Sequence, residues 1–200
     1  MLELALQVAA VSVSGALAPG PLLAACLAAG ARGGARAGIL VAAGHAAVEL
    51  PLVLALGAGA VTLAAVEGSG AALAIAGAAA LFVFAAMHAR SALLGTEPRI
   101  MRAGGPLTLG ILLSALNPFF ITWWLTIGLK LVSDASAELG VAGAPAVFGM
   151  HVWMDFAWLG AVAFLASRGR RMAGSGGRRA MDAGIAALMA LAGVWFLAGI

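Results

Sequence analysis

The sequence predicts an all-α integral membrane protein: one transmembrane domain over residues 1–200, with six transmembrane helices arranged as two inverted three-helix repeats. Three observations predict it. Of the 200 residues 64% are hydrophobic and 10% charged, with a mean hydropathy of +1.09, more apolar surface than a water-soluble domain of this size can bury. Six apolar stretches, each near or above the ~20 residues that cross a hydrocarbon core, follow one another through loops too short for a soluble domain. The polar segment Gly95-Thr96-Glu97-Pro98-Arg99 then splits the chain into halves of three stretches each, about 1–95 and about 105–200. An odd number of crossings makes the second half enter the bilayer from the opposite side.

Each stretch has its own justification. The first, Leu4 to Ala28, is apolar but interrupted by Pro19-Gly20-Pro21. Ala16-Leu17-Ala18 resembles a small-residue cleavage site, yet Glu3 and the lack of Lys or Arg before the apolar run argue against a secretory signal. The second, Gly38 to Ala65, holds His45 and Glu49. The third, Ala71 to Ala89, ends at His88 beside Arg90, which reads as an interfacial residue. The fourth, Leu107 to Leu131, is broken by Asn117-Pro118 and carries Trp123 and Trp124. His151, Trp153, Asp155 and Trp158 lie in the fifth, Val141 to Ala166, and the sixth runs from Ala180 to Ile200. Barrel strands alternate apolar and polar at every second residue, whereas these stretches are apolar on all faces, so they are helices.

Charge sets the orientation. Arg32 and Arg36 fall in the first loop, Arg90, Arg99 and Arg102 in the third, and Arg168, Arg170, Arg171, Arg178 and Arg179 in the fifth. Lys130 alone lies on the other side, near Asp134 and Glu138, and the second loop offers Glu67. An excess of arginine on one face marks the cytoplasmic side, so both termini are expected outside the cytoplasm of a cell membrane. The Arg-rich fifth loop reads as this topology signal, with anionic headgroups as the other candidate and nucleic acid not among the expected partners.

Other chemistry is thinly represented. A lone Cys26 forms no internal disulfide and no dithiol relay, and packing is its expected role. A phosphate-binding glycine loop, a nucleophile elbow and a His-Glu-x-x-His zinc helix are all missing, so no enzyme activity and no cofactor are expected.

The chemistry instead concentrates at mid-membrane. Glu49 is thirteen residues from Arg36, Asp155 thirteen from Arg168, Pro19 thirteen from Arg32, and Asn117 fifteen from Arg102. At ~1.5 Å per residue all four lie about 20 Å from the arginine face. His45 with Glu49 and His151 with Asp155 are each four residues apart, one turn along a single helical face. Ionisable groups at that depth are costly and point to a substrate, ion or proton path. Glu49 and Asp155 are therefore candidates for proton coupling, with His45 and His151 as hydrogen-bonding partners or relay members. Two alternatives stay open: polar clips between helices, or a four-ligand site for a divalent metal built from His45, Glu49, His151 and Asp155.

Beside these pairs stand the proline breaks. Pro19 and Pro21 lack amide hydrogens and Gly20 relaxes the backbone between them, so the helix should unwind and restart with free N–H groups aimed into the gap. Asn117-Pro118 would do the same in the second half, with Asn117 as cap or ligand. Pro19, Gly20, Pro21, Asn117 and Pro118 are thus candidate substrate-binding positions, although a simple kink accounts for them too. Trp153, two residues from Asp155, is a candidate for stacking on a substrate, against packing or an interfacial belt for the tryptophans in general. Gly30, Gly34 and Gly38, spaced by four among 28 glycines, read as a close-packing ladder.

Pro19-Gly20-Pro21, the glycine ladder Gly30, Gly34 and Gly38, and Asn117-Pro118 opening the second half together resemble the lysine exporter (LysE) family, over essentially the whole chain. The resemblance implies secondary-active export of amino acids or related small polar metabolites, driven by the membrane gradient through proton antiport. Gly44-His45-Ala46-Ala47-Val48-Glu49 and His151-Val152-Trp153-Met154-Asp155 mark a divergent branch, so the amino-acid specificity is not carried over. Relatives in the wider superfamily handle metal ions, which keeps a divalent metal transporter as the alternative. Expected partners are a small-molecule substrate, protons and the lipid bilayer, with a homodimer open to the chain.

Overall fold

The structure, a computed structural model, describes residues 1–18, 20–61, 70–95 and 105–199; Pro19, Glu67, the residues from Thr96 to Arg99, and Arg102 lie outside them. Among the described residues every regular element is helical. Four helical runs, Pro21–Gly57, Gly70–Leu94, Pro118–Met172 and Ser175–Ala198, are long and apolar enough to cross a membrane, and Leu2–Ala16 and Gly105–Ala115 are shorter apolar helices.

Helix α1 (Leu2–Ala16) spans only about 22 Å at ~1.5 Å per residue, short of a bilayer core. It stops before the proline-rich break, where Gly20 is fully extended at φ −163° and ψ −168°, and helix α2 (Pro21–Gly57) restarts with proline at its first position, where no N–H is lost.

Straight, the 37 residues of α2 would reach about 55 Å, but Gly34, at φ 64° and ψ −159°, turns the chain back on itself. The reversal is visible in what the ladder touches. A Cβ on Gly30 and a Cβ on Gly38 would both collide with Ala163, although eight residues of straight helix would separate them by about 12 Å; Gly34 at the tip sits over Ser167. Residues 21–33 and 35–57 are thus two arms of a hairpin. The ladder is the seam along which another helix lies.

That helix is α7. After α3 (Gly70–Leu94) come α4 (Gly105–Ala115), α5 (Pro118–Trp123), a π-helical turn (Trp124–Gly128), α6 (Leu129–Leu139), a 3₁₀ turn (Gly140–Ala142), α7 (Gly143–Met172) and α8 (Ser175–Ala198). The Asn117-Pro118 break is capped from within: Asn117 Oδ1 accepts hydrogen bonds from the amides of Phe119 at 3.1 Å and Phe120 at 3.3 Å. In the π turn one extra residue is accommodated, and Gly128 lies directly against the Trp124 indole, where a side chain would collide with the ring. Gly140, at φ 58°, reverses the chain between α6 and α7.

Packing pairs α2 with α7 most extensively, α3 with α8, α4 with α2, and α1 with α7. Helices α2 and α4 cross at Gly44 and Gly110, where neither position has room for a Cβ against the other backbone. Cys26 is fully buried, and its Sγ donates to the Leu159 carbonyl at 3.1 Å, in keeping with a packing role.

The two ends differ. At one, buried Asp182 of α8 receives hydrogen bonds from Arg32 at 3.3 Å and Arg170 at 3.4 Å, from Ser91 at 3.1 Å, and lies 3.2 Å from His88 Nδ1. His88, expected near the interface, is only 2% exposed and sits within this arginine-end cluster, where the Asp182 carboxylate gives the imidazole a buried partner. At the other end the ties are exposed, with Lys130 2.8 Å from Asp134 and the terminal amine of Met1 3.9 Å from Glu138.

Candidate central site

His45 and Glu49 project from one face of α2, His151 and Asp155 from one face of α7, and the packing of these helices turns the faces together. His151 Nε2 lies 3.0 Å from Glu49 Oε1 and 3.2 Å from Asp155 Oδ2. His45 Nε2 lies 3.5 Å from Glu49 Oε1 and 4.0 Å from Asp155 Oδ2. The two pairs therefore form one cluster, none of its members more than 5% exposed.

Hydrogen bonding around it fixes one tautomer. The Ser114 hydroxyl has one proton, which it gives to the Gly110 carbonyl at 2.6 Å. At 2.7 Å from His45 Nδ1 it must then accept, so Nδ1 carries the hydrogen. A neutral His45 consequently aims the lone pair of Nε2 at the Glu49 and Asp155 oxygens, acceptor towards acceptor. A proton or another cation among them relieves that clash. Trp124 Nε1 donates to Glu49 Oε1 at 3.2 Å, while Glu49 Oε2 and His151 Nδ1 are buried without a hydrogen-bond partner.

Three of the four residues, His45, Glu49 and Asp155, also offer ligand atoms that a small divalent cation could bridge. Ligand atoms of His45, Glu49 and Asp155 all lie within 4.8 Å of one another. With bonds of ~2.1 Å, tetrahedral ligands stand roughly 3.4 Å apart, close to the 3.5 Å between His45 Nε2 and Glu49 Oε1.

The cluster forms the polar wall of a cavity of about 320 Å³. Gly20, Pro21 and Asn117 line this cavity with the four ionisable residues, and Pro118 is the first residue of α5 just beyond its wall. Trp153 is placed elsewhere. Two residues from Asp155 is about 200° around a helix, so its ring faces outward, 56% exposed, with Nε1 on the Met150 carbonyl at 2.8 Å. The stacking expected of it is corrected to other rings: Trp123 and Trp124 pack on His151 with centroids 5.8 and 5.3 Å away, and Phe120 on His45 at 4.8 Å.

Sequence reasoning passed over Ser114, Phe120 and the hydrogen bond of Trp124. The one available signal for Ser114 was a hydroxyl three residues before Asn117 in an apolar run; nothing in the sequence announces the π turn that sets Trp124.

Apolar helical runs around a buried polar cluster, opening on a cavity, define a multi-pass membrane protein. A family model described as LysE type translocator matches residues 13–199, and the chain belongs to that family, whose members are transporters and not enzymes. Comparison with curated proteins gave no match, and comparison with solved structures gave none either.

Proposed function

We propose that this protein is a secondary-active exporter of amino acids or a related small polar metabolite, working by alternating access and proton antiport. One observation carries it: two His-carboxylate pairs from different helices meet in a single buried cluster on the wall of a cavity that also contains an unwound helix start. In this function Glu49 and Asp155 carry the proton, His45 and His151 hold and relay it, and the Gly20, Pro21 and Asn117 region binds substrate. Pro19 and Pro118 belong to the same breaks.

Six crossings in two inverted halves, about 1–95 and about 105–200, suit this function. Matched packing supports the duplication: α1 leans on α7 as α4 leans on α2, while α2 pairs with α7 and α3 with α8. The gathering of Arg32 and Arg170 at one end supports a cytoplasmic arginine face with both termini on the far side of a cell membrane.

The test is pH-gradient-driven flux of labelled amino acids in proteoliposomes. Glu49→Gln is expected to abolish driven flux while inserting and folding as the parent does. Full retention of driven flux in that variant refutes the coupling role.

A second function, divalent metal transport through His45, Glu49, His151 and Asp155, is favoured by the spacing of the donor atoms. It requires that dialysed protein bind zinc stoichiometrically and that His45→Ala remove the binding. Protein that takes up no zinc eliminates it.

A further inference from the structure

The two helix starts beside the cavity are chemically unlike. At α5 the Asn117 side chain already accepts from both free amides, Phe119 and Phe120, so that end is satisfied within the protein. At α2 the N-cap is Gly20, with no side chain to donate or accept, and no side chain caps the end. Pro21 has no N–H, and the first helical bond runs from Ala24 to the Gly20 carbonyl at 3.1 Å. The amides of Leu22 and Leu23 thus have no helical partner, and both residues line the cavity. In the same cavity Glu49, 0% exposed, has its Oε2 without a hydrogen-bond partner.

Free amides suit an anion and a bare carboxylate oxygen suits a cation. What surrounds them restricts the rest of the ligand. Among the described residues the ionisable ones on the cavity wall are His45, Glu49, His151 and Asp155, gathered in one place, with no lysine or arginine and no acid away from the cluster. A basic side chain would need a second acid centre and an acidic one a second cation, since an unpaired charge in such surroundings is costly. The rest of the wall is mostly apolar, with six rings, Phe119, Phe120, Trp123, Trp124, Trp158 and Trp195, among smaller residues such as Gly15, Ala16, Ala18 and Leu159. At about 320 Å³ the cavity is at the small end of the ~300–1,000 Å³ typical of small-molecule sites.

The geometry points to a neutral α-amino acid with a large aromatic or apolar side chain as the substrate: its carboxylate on the Leu22 and Leu23 amides, its ammonium on Glu49, its side chain among the six rings. This rests on the exporter function proposed above and narrows it. The order of preference it sets is the reverse of one for basic amino acids.

Purified full-length protein tests it by counterflow in proteoliposomes and by calorimetric titration. L-Phenylalanine and L-leucine are expected to exceed L-lysine and L-glutamate by at least about tenfold. Phenylethylamine, which lacks the carboxylate, and 3-phenylpropionate, which lacks the ammonium, should each bind at least about tenfold more weakly than L-phenylalanine. Gly20→Asn copies the Asn117 cap onto α2. Gly20 is extended and a Cβ there meets nothing within 4 Å, so the backbone accepts the change. Occupying the two amides should weaken L-phenylalanine about tenfold or more and leave the weak phenylethylamine binding where it was. Lysine matching phenylalanine overturns the assignment, and so does phenylethylamine binding as tightly as phenylalanine in the parent protein. Either result leaves amino-acid export standing. If no amino acid exchanges or binds, the exporter function and this assignment fall together.

Discussion

Gly30→Ala is the smallest change that tests the hairpin seam. In this fold the new Cβ would stand 2.5 Å from the Cβ of Ala163 and closer still to its Cα. Carbon atoms in ordinary contact are ~3.5–4.0 Å apart, so the helices must separate by roughly 1–1.5 Å or the backbone must bend. The obstacle is main chain, not the end of a flexible side chain, so rotamer changes offer no escape. Overpacking of this kind costs about 1–3 kcal/mol. For a chain of this length each kcal/mol corresponds to about 2–4 °C in Tm. Gly149→Ala is the control, because that helical glycine has nothing within 4 Å and should hold or gain up to about 1 kcal/mol. Thermal unfolding in detergent, followed by tryptophan fluorescence, reads both. If Gly30→Ala melts at or above the Gly149→Ala variant, the close contact between α2 and α7 is not as described.

Further outcomes follow from other contacts. Asp182→Asn leaves Arg32 and Arg170 facing a neutral amide; removing one member of a buried ion cluster costs about 3–5 kcal/mol, reduced here because the arginines keep 12% and 14% exposure, and the melting temperature should fall accordingly. Ser114→Ala deprives His45 Nδ1 of its partner and should cost about 1–3 kcal/mol in chemical denaturation; an unchanged midpoint would rule out the Ser114–His45 hydrogen bond. Asn117→Ala strips the cap from α5 at about 0.5–2 kcal/mol, read in the same unfolding experiment. Trp153→Ala should leave substrate titrations unaltered, whereas Trp124→Phe, which removes the donor to Glu49, should shift them.

Much of the central site could be read from spacing. Four residues between histidine and acid put each pair on one helical face, and counting from the arginines put both pairs at one depth, so a meeting across α2 and α7 needed only that those helices be neighbours. Trp153 shows where counting stops being enough: proximity in sequence to Asp155 gave the wrong side of the helix, because two residues are half a turn. Asp182 was invisible for a different reason. In an arginine-rich stretch a carboxylate looks like a surface counterion, and only the folded arrangement brings Arg32, His88, Ser91 and Arg170 from three other helices onto it. The reversal at Gly34 lies in the first loop, between Arg32 and Arg36, where the charge pattern puts it; what the ladder left open was that Gly34 itself takes the positive φ, since glycine in a helical run signals a small contact and a positive φ equally.

Helix α7 sits astride the bend at Gly34, with Ala163 wedged against both arms and Ser167 over the tip. Main chain held against main chain at two points, Gly30 on Ala163 and Gly38 on Leu159, leaves little slack for sliding, so these segments are expected to shift as one rigid block. Bending is left to the unwound backbone around Gly20 and to Asn117, the hinges nearest the cavity.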